Sequence, residues 1–210
     1  MPRYSRRLSK FLFFFIAALL MGLLAIGTME LFKIVSTVTS TTWANIGIAT
    51  LASLGRVVGS LIISTIWAVP MGIWIGLSQR RTQIAQPIIQ VLAGFPAPML
   101  YPLVLGILIP LGVNLGWSSM FLMTLGVQWY VLFNVLAGAL RIPQELGDAL
   151  SLMQISTYNR WTKLYLPSVF PALVTGWVTA AGGAWNASIV AEYIAYKGQT
   201  LSTIGLGATI

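Results

Sequence analysis

The chain contains no cysteine and no histidine, and only four of its 210 residues are carboxylates: Glu30, Glu145, Asp148 and Glu192. Without cysteine there is no disulfide, no thiolate nucleophile and no zinc–sulfur site, and the redox compartment cannot be read from cysteine usage. Without histidine there is no imidazole base, no Ser-His pair and no usual transition-metal ligand. Four acids spread over the whole length leave little for catalysis, so no catalytic and no metal site is expected. Charge of either sign is scarce: 8% of residues are charged and 57% apolar, where a soluble domain carries about 25% charged residues. So few charges cannot cover a water-facing surface, and the same apolar excess excludes disorder. Most of this chain is solvated by lipid. The net charge of +8 does not point to nucleic acid, which needs cations clustered on one face; here they punctuate apolar runs, which is a topology signal.

A transmembrane helix needs about 20 mostly apolar residues to cross a hydrocarbon layer of roughly 30 Å. Five segments qualify, at about 11–32, 57–77, 88–113, 120–140 and 167–190. A signal peptide is the alternative for the first, since Arg3, Arg6, Arg7 and Lys10 precede it. Its apolar run is long for that role and no Ala-x-Ala site follows, so an uncleaved anchor is expected. With the amino terminus in the cytoplasm, segments 1–10, 78–87 and 141–166 lie inside. They hold Arg3, Arg6, Arg7, Lys10, Arg80, Arg81, Arg141, Arg160 and Lys163, leaving Lys33, Arg56 and Lys197 outside. The excess of Lys and Arg on cytoplasmic loops supports that orientation. The chain stops at Leu206-Gly207-Ala208-Thr209-Ile210 without a polar tail, which predicts a sixth helix in the complete chain. A five-span protein with a short outer tail is the alternative. The expected fold is thus an all-α polytopic membrane bundle. Residues 1–50 supply the tail, first span and outer loop, and residues 51–210 the core.

The third segment carries Pro87, Pro96, Pro98, Pro102 and Pro110. Each interior proline removes a backbone hydrogen bond and bends a helix. The freed carbonyl must find a partner among other helices or in a cavity, and Phe95-Pro96-Ala97-Pro98 is expected to break the helix outright, as a gate or as a plain kink. On the second span, Gly55/Gly59 and Gly72/Gly76 give two GxxxG spacings suited to close helix contact. The polar stretch 141–166 reads as two short amphipathic helices on the cytoplasmic side. Pro143 caps the first, with Glu145 and Asp148 near its amino terminus where the dipole favours acids and Leu146, Ala149, Leu150 and Met153 at helical spacing. Ser156 or Thr157 can cap the second. Such a hairpin suits a protein partner outside the bilayer, or else lies among lipid headgroups.

Glu145-Leu146-Gly147-Asp148-Ala149-Leu150-Ser151-Leu152-Met153-Gln154-Ile155, followed by Leu164-Tyr165-Leu166-Pro167, resembles the EAA loop of type I ABC importer permeases. Asp148 and Ala149 match the acid-Ala start, and Leu166-Pro167 falls at the expected distance. Leu150 replaces the second Ala, and Gln154 stands where the family has its turn glycine. That departure shifts the turn to Ile155-Ser156 or alters coupling. Pro70-Met71-Gly72-Ile73-Trp74-Ile75-Gly76-Leu77-Ser78 and the proline-rich Gly94-Phe95-Pro96-Ala97-Pro98 with Pro102 are similar to further family segments. Ala184-Trp185 and Ala191-Glu192 resemble its nitrate/sulfonate/taurine branch.

The resemblance implies half of a two-fold pore in a bacterial inner membrane. The other half would be a second permease subunit, identical or different. Cytoplasmic ABC ATPase subunits would carry ATP and Mg, and an external solute-binding protein would deliver a small solute, with Arg56 at the outer side able to attract an anion. The chain itself would bind no cofactor; it has no G-x-x-x-x-G-K-[ST] motif. The coupling contacts implied are Glu145, Leu146, Asp148, Ala149, Leu150, Met153, Gln154 and Ile155. Pathway or gate candidates are Arg56, Pro96, Pro98, Gln128, Asn134, Asn186 and Glu192, because a charge in lipid costs about 3 kcal/mol on insertion scales. The plainer expectation for Arg56 and Glu192 is an interfacial position in water or headgroups. For Gln128, Asn134, Asn186 and Thr179 it is a hydrogen bond between helices, and for Trp129, Tyr130, Trp177 and Trp185 it is packing. An ion-gradient carrier or channel is the alternative function, although it wants intramembrane acids that the span centres lack; a non-transport membrane scaffold is another.

Overall fold

In a computed structural model that describes residues 3–209, the first apolar run is one continuous helix, α1 (Arg3–Thr37). The side chains of Arg3, Arg6 and Arg7, and residue Ile210, lie outside the described residues. The span within α1 is Leu12–Thr37, and none of its most apolar stretch is buried; side chains such as Phe13, Leu24 and Phe32 stand exposed, as a lipid solvent permits. Glu30 and Lys33 meet at 2.8 Å, one helical turn apart.

The chain divides into two compact units, Met1–Asn45 and Ile46–Ile210. Helix α2 (Ser40–Gly76) begins in the first and continues through the second. The Thr39 hydroxyl accepts from the Thr42 N–H at its start. At 37 residues and 1.5 Å per residue it is about 55 Å long, far more than the expected 57–77. The earlier residues read as loop because Gly47, Gly55 and Arg56 interrupt the apolar run, yet none of them breaks helical hydrogen bonding.

In the second unit, α3 (Gln79–Ala93) and α4 (Tyr101–Leu108) flank the proline-rich break, with a 3₁₀ turn at Ala97–Leu100. The two arms diverge by 77°. The expected break at 95–98 is therefore present, but the helix before it starts nine residues earlier than the expected 88. Its polar start (Gln79, Arg80, Arg81, Gln83) suits a helix as well as a loop, and Pro87 sits inside it. The Thr82 hydroxyl donates to the Ile75 carbonyl at 3.1 Å, tying this start to the end of α2.

Helices α5 (Leu115–Ala139) and α8 (Leu166–Ala191) pack extensively on each other. Leu122, Val127, Val131 and Val135 of α5 and Val169, Leu173, Ala180 and Ala184 of α8 are buried in one cluster. Lipid offers no hydrophobic drive between helices, so close approach through small residues holds them together. On α2 the buried face runs Ser53, Ser60, Ser64, Ala68, Gly72, Gly76. A Cβ at Gly72 would lie 2.9 Å from Val135 Cγ1, and one at Gly76 2.6 Å from Ala139 Cβ. The second GxxxG spacing thus seats α2 on α5. Of the first, Gly59 touches Met120 while Gly55 faces open space.

Between α5 and α8 lies a hairpin of α6 (Gln144–Leu152) and α7 (Thr157–Arg160), continued by a π turn (Trp161–Tyr165) into α8. After α8, β1 (Tyr193–Tyr196) and β2 (Gln199–Ser202) pair antiparallel, and a short α9 (Leu206–Thr209) follows. Lys197 and Gly198 form their two-residue turn with φ of 50° and 76°, the left-handed pair that matches strand twist.

Candidate functional sites

Helix α6 starts at Pro143, whose extended backbone (φ −60°, ψ 136°) cannot continue a helix backwards. It ends in a Schellman turn: the Ile155 N–H donates to the Leu150 carbonyl at 3.0 Å and the Gln154 N–H to the Ser151 carbonyl at 3.1 Å. The turn residue is Gln154, at φ 53°. The expected shift of the turn to Ile155-Ser156 does not occur; Gln154 takes up the left-handed conformation itself, at about 1–2 kcal/mol for a residue with a Cβ. Ser156 then caps α7, its hydroxyl accepting from the Asn159 N–H.

Arg160, expected only as a cytoplasmic cation, braces this turn. Its Nε donates to the Ile155 carbonyl at 2.9 Å, and its two terminal nitrogens to Ser151 Oγ at 3.0 Å and the Leu150 carbonyl at 3.3 Å. Five guanidinium donors in a rigid fork suit such a multiple contact. Ala149, Leu150, Met153 and Ile155 line a groove of about 420 Å³ between the two short helices, with Leu146 and Leu164. Glu145 and Gln154 stand exposed beside it. Asp148 turns instead to a cleft of about 460 Å³ shared with Ser78, Gln79, Arg80, Gln144 and Tyr165. The hairpin and the α2–α3 corner therefore lie at the same end of the bundle. Leu152 and Tyr158, 86% and 76% exposed at the hairpin's tip, were missed because they fall off the apolar stripe.

Arg56 and Glu192 do not stand in water or headgroups but face the inside of the bundle. Glu192 is fully buried and pairs with Arg56 at 2.7 Å. Arg56 lies within α2, which continues as helix well before it. The Glu192 carboxylate also accepts from Ser53 Oγ and from the Gly207 N–H at 2.9 Å. Arg56 donates further to the Gly116 carbonyl and Thr203 Oγ1, both at 3.1 Å, and the Leu206 N–H donates to Ser53 Oγ. One network so joins α2, α5, α8 and the segment after β2. A Cβ at Gly205 would strike the Glu192 carboxylate, and one at Gly207 the Ser188 carbonyl, so glycine is needed at both for the segment to close over the pair. The four acids in the sequence made Glu192 visible; nothing in its local pattern named Arg56 as partner.

The mid-span polar groups do not bond between helices as expected. Gln128 donates to the Leu125 carbonyl, Asn134 to Tyr130 and Thr179 to Thr175, each on its own helix; a nearby backbone acceptor satisfies an isolated polar side chain in lipid without requiring a neighbour. Asn186 instead lines a cavity of about 290 Å³ with Pro98, Tyr101 and Tyr130. Pro96 lies exposed at the break. Trp129 packs edge-to-face on Trp67, Trp177 on Phe170 with its indole N–H on Thr65 Oγ1, and Trp185 packs on the core.

The model of the family described as "Binding-protein-dependent transport system inner membrane component" matches residues 68–210. The chain is 31% identical to the bicarbonate transport system permease protein CmpB of Synechocystis over 146 residues, 69% of this chain and 50% of that one. It is 28% identical to the nitrate import permease protein NrtB of Leptolyngbya laminosa over 143 residues, 68% and 50% of the two chains. To the taurine transport system permease protein TauC of Escherichia coli it is 29% identical over 156 residues, 74% and 53%. The chain spans about half the length of these curated relatives. A predominantly helical membrane bundle, a hairpin between its last two long helices and these matches together place the chain in the family of binding-protein-dependent transport system inner membrane components, on its nitrate/sulfonate/taurine-like branch.

Proposed function

We propose that this chain forms half of the membrane pathway of an ATP-driven importer for a small oxyanion. A second permease half completes the pathway, cytoplasmic ATPase subunits drive it, and an external binding protein delivers the solute. Residues 51–210 are the core in this reading, and residues 1–50 add the first span and outer loop. The amino terminus lies in the cytoplasm with 78–87 and 141–166, following the Lys/Arg bias. Nitrate, bicarbonate and taurine, named for the relatives, each present a compact anionic group of oxygens, and that shared chemistry is the substrate class proposed here.

The observation that carries the reading is the braced hairpin of residues 143–166. A helix lying among headgroups needs no internal brace. This one is locked by a Schellman turn, a Ser156 cap and three Arg160 donations, and runs into α8 through the π turn without a gap. Such an element moves as a rigid body and passes displacement to the span it is joined to. Closure of the ATPase dimer would push on Leu152 and Met153 at the tip, and α8 would follow. The test is reconstitution with the partner ATPase and binding protein. Reversing both charges, Glu145→Lys with Asp148→Lys, should leave ATP hydrolysis running while uptake falls to background. Normal uptake after replacing 145–155 with a Gly/Ser linker, or solute movement by the chain alone without ATP, would overturn the proposal.

A further inference from the structure

The cavity at the break of the third span contains three polar side chains that have no protein partner. Tyr101 is 2% exposed, and its hydroxyl makes no hydrogen bond among the described residues. Neither does the Tyr130 hydroxyl nor the Asn186 amide. Gln128, Asn134 and Thr179 each donate to a carbonyl on their own helix, whereas these three groups do not. No buried side-chain oxygen or nitrogen among the described residues lacks a partner, so the Tyr101 hydroxyl reaches the open cavity, and Tyr130 and Asn186 stand exposed along it; within a bilayer, unpaired polar groups of this kind persist where they line a wet cavity. The wall is shaped for this. Gly183 lets the Tyr130 ring approach, since a Cβ there would lie 3.0 Å from Tyr130 Cε2, and Ala97 at the break lies close to Gly126, where a Cβ would come within 3.7 Å of Ala97 Cβ. About 290 Å³ is room for a small solute with some water, at ~30 Å³ per water molecule.

We propose that this cavity is a transient subsite for a small oxyanion, held by the Tyr101 and Tyr130 hydroxyls and the Asn186 amide. It has no cation in its wall. Arg56 is committed to Glu192. Neutral donors suit a passage site: binding must be favourable enough to admit the ion and weak enough to release it, and a buried lysine or arginine would trap it. The assignment rests on the importer reading, and names a place on that pathway.

Because the chain has no cysteine, one introduced thiol is uniquely addressable. The experiment uses Ala187→Cys, with Ala97→Cys as a second wall position, in membranes carrying the whole chain. The probe is a membrane-impermeant, anionic methanethiosulfonate reagent, applied with and without nitrate, bicarbonate or a short alkylsulfonate. Val178→Cys on the exposed face of α8 serves as the lipid-facing control. We expect both wall thiols to react, the control to stay unreactive, and at least one oxyanion to slow wall labelling about tenfold at ten times its Kd, as 1 + [L]/Kd requires. Adding Tyr101→Phe or Asn186→Leu should weaken protection roughly fivefold for each hydrogen bond lost. A wall that does not react is filled by lipid, and a wall that reacts without protection is only a wet vestibule; either result overturns the subsite. Labelling needs no ATPase, so its failure leaves the coupling test untouched, and failure of that test leaves the labelling result standing.

Discussion

Arg56 and Glu192 offer a double-mutant cycle whose outcome follows from burial. Glu192 is fully buried, and Arg56 supplies its one ion pair among the described residues, against 14% side-chain exposure on the arginine. Arg56→Met leaves a buried carboxylate with Ser53 and the Gly207 N–H but no counter-charge, which costs about 3–5 kcal/mol. Glu192→Gln keeps the shape, removes the charge and weakens the bonds from Arg56 and Gly207, at about 2 kcal/mol. In the double variant a neutral amide meets a methionine and no charge is stranded. Its cost should therefore fall short of the sum by about 2–3 kcal/mol, the range for side chains in direct contact. The assay is reversible unfolding in mixed micelles followed by tryptophan fluorescence, for which the chain carries eight tryptophans. Additivity within about 0.5 kcal/mol, as found for independent sites, would refute the reasoning and mean the pair does not hold the helices together.

Gln154→Gly should stabilise the hairpin by about 1 kcal/mol, because the left-handed turn then carries no Cβ penalty, while Gln154→Val should loosen it; hydrogen exchange of residues 144–160 reads both. Arg160→Ala removes three donations at once, so the same amides should lose protection while α5 and α8 keep theirs. Gly76→Leu forces a side chain against Ala139 and should destabilise by at least the 1–3 kcal/mol typical of overpacking, whereas Gly55→Leu, facing open space, should be near neutral; thermal unfolding in detergent compares them.

The fold was legible where hydropathy alone decides it. The fourth and fifth spans match α5 and α8 to within about five residues because each is a clean apolar run with a proline or asparagine at its start. The second span was cut short at its charge: Arg56 reads as an edge when its partner lies 136 positions away, and no local pattern shows that the charge is cancelled. The 143–166 hairpin was legible from capping and periodicity, but the fate of its turn was not. Glutamine at the glycine position suggested a displaced turn; Arg160, six residues on, makes staying in place the cheaper outcome. The β1–β2 hairpin went unread although Lys197-Gly198 sits between alternating residues, since a run of only four residues on each side is a weak signal. The unpaired Tyr101 and Tyr130 hydroxyls carry no sequence signature at all, because only the tertiary packing leaves them without a carbonyl.

The most direct check on this account is the side of the membrane on which the hairpin tip lies. In the cysteine-free chain, Leu152→Cys should react with an impermeant maleimide in inside-out vesicles and stay unreactive in intact cells, and it should be shielded when the ATPase subunits are bound. Labelling from the external face would put the hairpin beyond the reach of any cytoplasmic motor and contradict the coupling mechanism.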